Sequence, residues 1–192
     1  MKKPVAAKPK KRVPVVRAPG TGARVKIIVS ESDIRKRVRE IAKQINKDYA
    51  GKTLHVVGIL ENCFVFMADL VRFLTVPVVC SFVRSQMHDS DTGLVAMREI
   101  TYIPHIDAAG KDLLLVEGVL QSGITLDHLC QTLMMQQPAS LRTATLLDKT
   151  DERRVDVAVD YSGFQLSGRF LVGYGLGYQQ LYRNLPYLGR IV

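Results

Sequence analysis

The chain has 192 residues, 47% of them apolar. That suffices for one domain with a buried core and excludes a wholly disordered polypeptide. The net charge of +9 lies in residues 1–26, which carry nine Lys or Arg and no acid, while the remainder balances 18 basic against 18 acidic groups. Basicity is therefore a property of the tail and not of the domain. No apolar run approaches the roughly 20 residues that cross a bilayer, so no membrane role is expected.

Residues 1–26 form a basic tail in which Pro4, Pro9, Pro14 and Pro19 stand among lysines and small residues. Such a segment buries too little apolar surface to offset ordering, and disorder is expected, with the domain running over 27–192. The tail solubilises the chain or, alternatively, gives a low-specificity attachment to nucleic acid. Ser30 followed by Asp33 reads as the start of a helix. Ile34, Val38, Ile41 and Ile45 give that helix one apolar face, and Gly51 closes it. Residues 53–60 read as a buried strand, about 63–74 as a helix and 76–84 as a strand. Residues 85–98 are polar without an apolar period and read as a long lid-like loop.

Residues 112–120 (DLLLVEGVL) are apolar on both faces, as a central parallel strand should be. Gly123 opens a helix that Pro138 terminates. Residues 141–148 and 155–161 are expected strands. Residues 164–192, rich in Gly and Tyr, read as turns and short strands around a site. Strands alternating with helices predict an α/β fold with a mostly parallel sheet. The cysteines Cys63, Cys80 and Cys130 lack paired spacing and read as buried thiols in a reducing cytoplasm. His55, His105 and His128 show no ligand spacing.

The turn between the strand at 112–120 and the following helix has the design of an anion site. Gly123 admits close backbone approach, Ser122 and Thr125 add hydroxyls, and the helix N-terminus favours a phosphate. Alone, such a turn is common. Four collinear blocks sharpen it: VVGILENCFVFMADL (56–70), LLLVEGVLQSGITL (113–126), LLDK (146–149) and DYSGFQLSGRFLVGYGLGYQQLYRNLPYLG (160–189). Together they resemble the hypoxanthine-guanine phosphoribosyltransferases. The resemblance implies a type I phosphoribosyltransferase fold. Its central sheet is flanked by helices, and its small hood is built from N- and C-terminal segments. It also implies dimers or tetramers, and a reaction in which a 6-oxopurine displaces pyrophosphate from phosphoribosyl pyrophosphate on Mg²⁺.

By resemblance, Ser122, Gly123, Ile124 and Thr125 hold the 5′-phosphate. Lys149 donates to the purine 6-oxo oxygen, Phe170 stacks on the base and Leu171 contacts its edge. Glu61, Asn62 and Arg183 stand at the pyrophosphate position, and Glu117 matches the first of two acids that hold the ribose hydroxyls and is the one weak metal ligand. Five departures stand out. The second acid of the pair is Gly118. The acid near the base N7 is Gln121, whose amide cannot titrate. The acid that helps hold magnesium is Gly177. The basic residue of the pyrophosphate loop is Glu61, and a unit charge pair at 4 Å is worth about 4 kcal/mol at an effective dielectric near 20. The mobile loop reads Ser85-Gln86-Met87-His88, without the family tyrosine. His88, Asp89 and Asp91 are the nearest substitutes for the lost groups, and a solvated loop is the plainer reading of them. The expectation is a nucleotide-holding site with the transferase reaction weakened or lost. Its rivals are a working Mg²⁺-dependent enzyme and an RNA-linked regulator using the tail.

Overall fold

The structure is a computed structural model, which describes residues 14–87, 98–102, 106–168 and 170–192. Ser30 caps α1 (Glu31–Asp48): its Oγ accepts the Asp33 N–H at 3.2 Å and donates to the Asp33 carboxylate at 2.6 Å. The apolar stripe read from the sequence is buried, with Ile34, Val38, Ile41 and Ile45 all inaccessible to solvent. Each such side chain contributes about 1.5–3 kcal/mol of burial.

Six strands form the main sheet: β3 (Leu54–Leu60), β4 (Val78–Met87), β5 (Arg98–Tyr102), β6 (Asp112–Leu120), β7 (Ser140–Asp148) and β8 (Tyr161–Gln165). Their order is β5-β4-β3-β6-β7-β8, parallel throughout except for the antiparallel edge strand β5. The central strand explains its own apolar run. Leu114 and Val116 pack in the core shared with α1 and α2 (Phe64–Val71). Leu113 and Leu115 point the other way, into the core beneath α3 (Ile124–Met134). Both faces are covered, so both must be apolar.

A second, antiparallel sheet joins the chain ends in the order β1-β2-β10-β9, built from β1 (Val15–Arg17), β2 (Arg24–Val29), β9 (Leu171–Val172) and β10 (Leu188–Ile191). This is the expected hood. It also corrects the reading of residues 1–26 as disordered throughout. Within that tail, Val15–Arg17 pairs with Arg24–Lys26, and Ala18 and Val25 are buried against Val172 and Leu185. A few apolar residues suffice there because the C-terminal segment supplies their partners. Residues 1–13 lie outside the described residues.

Two element boundaries and the exposure of one cysteine also differ from expectation. Residues 85–87 continue β4, paired with β5, where a loop was expected; 88–97, with His88, Asp89 and Asp91, lie outside the described residues, as does His105. The strand expected at 155–161 begins only at Tyr161. Val155 instead donates its N–H to Ser122 O at 3.1 Å, so this apolar alternation lays the chain across the turn between β6 and α3 and not into the sheet. Cys80 is exposed where a buried thiol was expected; Cys63 is buried. Among the described residues, no helix is long and apolar enough to cross a membrane.

A polar knot ties α1 to β7 and β8. Tyr161 donates its hydroxyl to Asp48 at 2.7 Å, and Arg142 donates to both Tyr161 and the Asp48 carboxylate. The Tyr161 hydrogen bond, followed by Arg142, holds the Asp48 carboxyl below its ordinary range against the opposing effect of desolvation. A depressed folded-state pKa means stability that is present above the unfolded value and lost as pH falls through the folded one. Asp48→Asn should therefore flatten the drop in melting temperature below about pH 4, measured by thermal scans in an acid series. A parallel drop in both proteins would show that this knot carries no acid sensitivity.

Candidate functional site

The carboxyl ends of β3, β6 and β7 converge, as they do at ligand crevices of open α/β sheets. Each delivers one part of the site. After β6 comes the turn at Ser122 and Gly123, then α3. Gly123 has φ +83°, a backbone state that side chains disfavour, and a Cβ there would lie 2.9 Å from Val155 O. Two carbonyl bonds from Ser122, to the N–H groups of Arg154 at 2.9 Å and Val155 at 3.1 Å, fix the turn from behind. Ile124 and Thr125 open α3, and the first-turn N–H groups of a helix have no intrahelical acceptor, an end that can receive an anion.

After β7 comes Lys149, whose N–H is held by Leu120 O at 3.0 Å. The lysine is 3% exposed, so it is not a solvated surface charge. Its ammonium donates to Glu152 at 2.7 Å, and the other carboxylate oxygen of Glu152 accepts from Gln121 at 3.3 Å. With Phe170, Leu171 and Tyr178 these groups line a cavity of about 310 Å³. Phe170 is half exposed and meets Tyr178 edge to face, centroids 5.2 Å apart. Its ring forms an open wall on which a planar base can stack.

After β3 comes the loop with Glu61 and Asn62, entered through a cis peptide bond between Leu60 and Glu61. Beside a diphosphate, Glu61 was expected to be a repulsive charge unless it turned away or took a proton. It is instead paired: one oxygen accepts from Arg84 at 2.9 Å, the other from Arg183 at 3.1 Å. Arg183 further donates to Asn62 Oδ1 at 2.7 Å and to Gly175 O at 2.9 Å. Both arginines that could meet a diphosphate thus have an internal carboxylate as partner.

The two glycines at lost acid positions are filled in the same way. A Cβ on Gly118 would lie 2.1 Å from Asn62 O, so the loop backbone rests where a side chain would begin. A Cβ on Gly177 would lie 2.7 Å from the Arg183 guanidinium carbon. Magnesium, implied by the family resemblance, would find the carboxylate of Glu117 but none at 118 or 177, with the adjoining space taken. A hard cation prefers several anionic oxygens. Among the described residues no group of three or more His, Cys, Asp or Glu is placed to hold a metal ion. These residues do not fit a protein-held magnesium. Burial pushes the nearby Cys63 thiol up to about 12, with Glu117 acting in the same direction, so it stays protonated and is no nucleophile.

Most of the residues singled out in the sequence therefore meet at one end of the sheet: Glu61, Asn62, Glu117, Gln121, the turn 122–125, Lys149, Phe170, Leu171 and Arg183. Glu152, Arg84 and Tyr178 belong beside them and were not foreseen. Glu152 had a local signal, since it lies three residues after Lys149 and a 3₁₀ turn (Thr150–Glu152) brings it back. Arg84 had none, because only the parallel register Leu60↔Arg84 sets it beside Glu61. A groove of about 710 Å³ lies beyond Arg183, between α1, α2 and the C-terminal segment, away from the phosphate turn.

A phosphoribosyl transferase domain model matches residues 25–179. The hypoxanthine phosphoribosyltransferase of Salmonella typhimurium is 38% identical over 172 residues, covering 88% of this chain and 96% of that protein. The hypoxanthine-guanine phosphoribosyltransferase of Dictyostelium discoideum is 40% identical over 169 residues, covering 86% and 94%. A crystal structure of a hypoxanthine-guanine phosphoribosyltransferase from Bacillus anthracis, with HEPES in its active site, superimposes with a TM-score of 0.81 at 34% identity, covering 87% and 98%. Sheet order, hood, phosphate turn and near full-length similarity agree, and the chain belongs to the phosphoribosyltransferase family, in its hypoxanthine-guanine branch.

Proposed function

We propose that this protein holds a purine nucleoside monophosphate through the turn at 122–125 and the pocket around Lys149 and Phe170, with the transferase reaction weakened or lost. The observation that carries this reading is the pairing of Arg183 and Arg84 with Glu61. A diphosphate must displace a carboxylate already bound to both cations, and Asn62 and Arg183 occupy the space beside Gly118 and Gly177. The turn at 122–125 faces no such internal carboxylate, and Lys149, though paired with Glu152, keeps two ammonium hydrogens for a base. Chemistry at the anomeric carbon would further require a group to manage the N7 proton, and Gln121 cannot supply one.

The test is thermal. Guanosine or inosine monophosphate at about 100 times its dissociation constant should raise the melting temperature by roughly 5–10 °C without Mg²⁺. No shift at millimolar nucleotide removes the reading.

The similarity to hypoxanthine phosphoribosyltransferases along nearly their whole length favours a second reading, a slow Mg²⁺-dependent purine phosphoribosyltransferase. It requires the loop at 61–62 to withdraw when phosphoribosyl pyrophosphate arrives. Release of pyrophosphate from phosphoribosyl pyrophosphate and hypoxanthine, absent without Mg²⁺, distinguishes the two. A homo-oligomer and a cytoplasmic location accompany either reading. The basic residues of 1–26 remain the basis for nucleic-acid attachment, for which the domain offers no further support.

A further inference from the structure

Three large apolar side chains stand exposed at the mouth of the base pocket: Phe170 (52%), Tyr178 (38%) and Leu181 (50%). Phe170 and Tyr178 line the cavity of about 310 Å³ and meet edge to face. Tyr178 and Leu181 flank a tight hairpin turn and exchange both backbone bonds, Tyr178 N–H to Leu181 O at 3.2 Å and Leu181 N–H to Tyr178 O at 3.0 Å. Residues paired in this way carry their side chains on one face of the ribbon. The apolar wall of the pocket therefore runs on through Tyr178 to Leu181 as one ledge open to solvent. Single exposed apolar residues need no explanation, but a strip continuous with a partly polar pocket is a binding surface.

The turn that presents the ledge is strained. Its central residues Gln179 and Gln180 have φ 48° and 65°, and Tyr182 follows at φ 71°. A tight hairpin turn of this kind needs left-handed backbone at both central positions, which Asn and Gly accept far more readily than Gln. The base of the hairpin pins it in place. Gly175 donates its N–H to Arg183 O at 2.9 Å, and the Arg183 guanidinium donates back to Gly175 O at 2.9 Å and to Asn62 at 2.7 Å. Neither Tyr178 nor Leu181 gains burial in the core from this arrangement. Backbone held in a disfavoured region by its surroundings gathers at ligand clamps.

We infer that Tyr178 and Leu181 extend the base pocket to receive an apolar or aromatic substituent carried on the base of the bound nucleotide. The inference rests on the nucleotide-binding reading above and deepens it by naming a ligand class, a nucleoside monophosphate with an enlarged base. The lining decides which edge bears the group. Gln121, Lys149 and Glu152 form the polar side of the cavity, and Leu171, Leu176 and Tyr178 the apolar side. A purine that turns its oxo group and N7 to the polar side turns C2, which lies across the ring, toward Tyr178. A substituent on the 2-amino nitrogen then leaves the pocket over Tyr178 and meets Leu181.

The experiment is calorimetric titration of the full chain with guanosine monophosphate and with its N2-methyl and N2-benzyl derivatives. The benzyl derivative should bind about tenfold more tightly than guanosine monophosphate, the worth of covering part of an aromatic ring. The methyl derivative, too short to reach the ledge, should stay close to the unmodified nucleotide. Leu181→Ser should cut the benzyl advantage to about threefold or less. It should leave guanosine monophosphate itself unchanged, because Leu181 is exposed and lies outside the pocket lining. Leu181→Phe, which keeps an apolar ledge, should retain the advantage. A benzyl derivative bound no more tightly than guanosine monophosphate by the parent overturns the inference while leaving nucleotide binding intact. An advantage that survives Leu181→Ser undiminished does the same. No binding of any of these nucleotides overturns both readings.

Discussion

Glu61→Gln should raise affinity for inorganic pyrophosphate by about ten- to thirtyfold at low salt. In the parent protein the Glu61 carboxylate neutralises Arg84 and Arg183 and would stand beside any diphosphate bound there. Replacing it by an amide of the same shape removes one negative charge and releases two guanidinium groups. A unit charge about 4 Å from a phosphate oxygen would cost about 4 kcal/mol at an effective dielectric of 20. The Glu61 side chain is 40% exposed, however, and Arg84 is 51% exposed, so solvent screens most of that. A gain near 1.5–2 kcal/mol remains, which is the tenfold to thirtyfold quoted. Calorimetric titration with pyrophosphate reads it directly. The gain should shrink as ionic strength rises, because partly exposed charges are screened over about 10 Å at 0.1 M salt. Equal affinity in parent and variant would mean that the ion pair does not guard the subsite. The monophosphate site should respond little, since the turn at 122–125 lies after a different strand.

Restoring the missing acids should have opposite structural consequences at the two positions. Gly118→Asp should lower the melting temperature by roughly 3–10 °C, an overpacking cost of about 1–3 kcal/mol. Its Cβ would sit 2.1 Å from the Asn62 carbonyl oxygen and 2.5 Å from the carbonyl carbon. Those are backbone atoms of a loop tied to Arg183, and they yield only if the loop moves. Gly177→Asp meets the Arg183 guanidinium at 2.7 Å, the far end of a flexible side chain. That group can swing aside and pair with the new carboxylate, so little or no destabilisation is expected. Differential scanning calorimetry of the two variants checks the contrast. A Gly118→Asp protein as stable as its parent would show that the loop withdraws freely, and the closed diphosphate subsite would lose its physical basis. For the same reason Gly118→Asp alone should not strengthen magnesium-dependent binding of phosphoribosyl pyrophosphate.

Both predictions concern features that no stretch of sequence displays by itself. Glu61 reads locally as a charge of the wrong sign for a diphosphate loop. Its two arginine partners lie 23 and 122 residues away. Gly118 and Gly177 read as absent acids, and only the assembled site shows a backbone and a guanidinium in the vacated volume. A sequence records which group is missing; packing determines whether the space stays open.

Local physics was legible where it acts over a few residues. Ser30 and Asp33 with the stripe Ile34, Val38, Ile41 and Ile45 specify α1, because capping and amphipathic period are helix-internal properties. The doubly apolar run 112–120 specifies a central strand, and Gly123 marks the tight turn between that strand and α3. The four collinear blocks carried the family, and with it the hood that no propensity would reveal. What tertiary structure alone decided was long-range pairing. Val15–Arg17 is a strand because β2 and the C-terminal segment cover it, and Val155–Val159 is not one because its bonds go elsewhere: the Val155 N–H to Ser122 O, and the Val157 and Ala158 carbonyls to the Arg153 and Thr143 side chains. Lys149 is buried and matched by Glu152, a fact set by the 3₁₀ turn after β7 and the C-terminal segment that close around it. Residue identity fixes the chemistry a side chain can perform, whereas the neighbours that satisfy or frustrate its charge come from strands distant in the chain, and only folding brings them within reach.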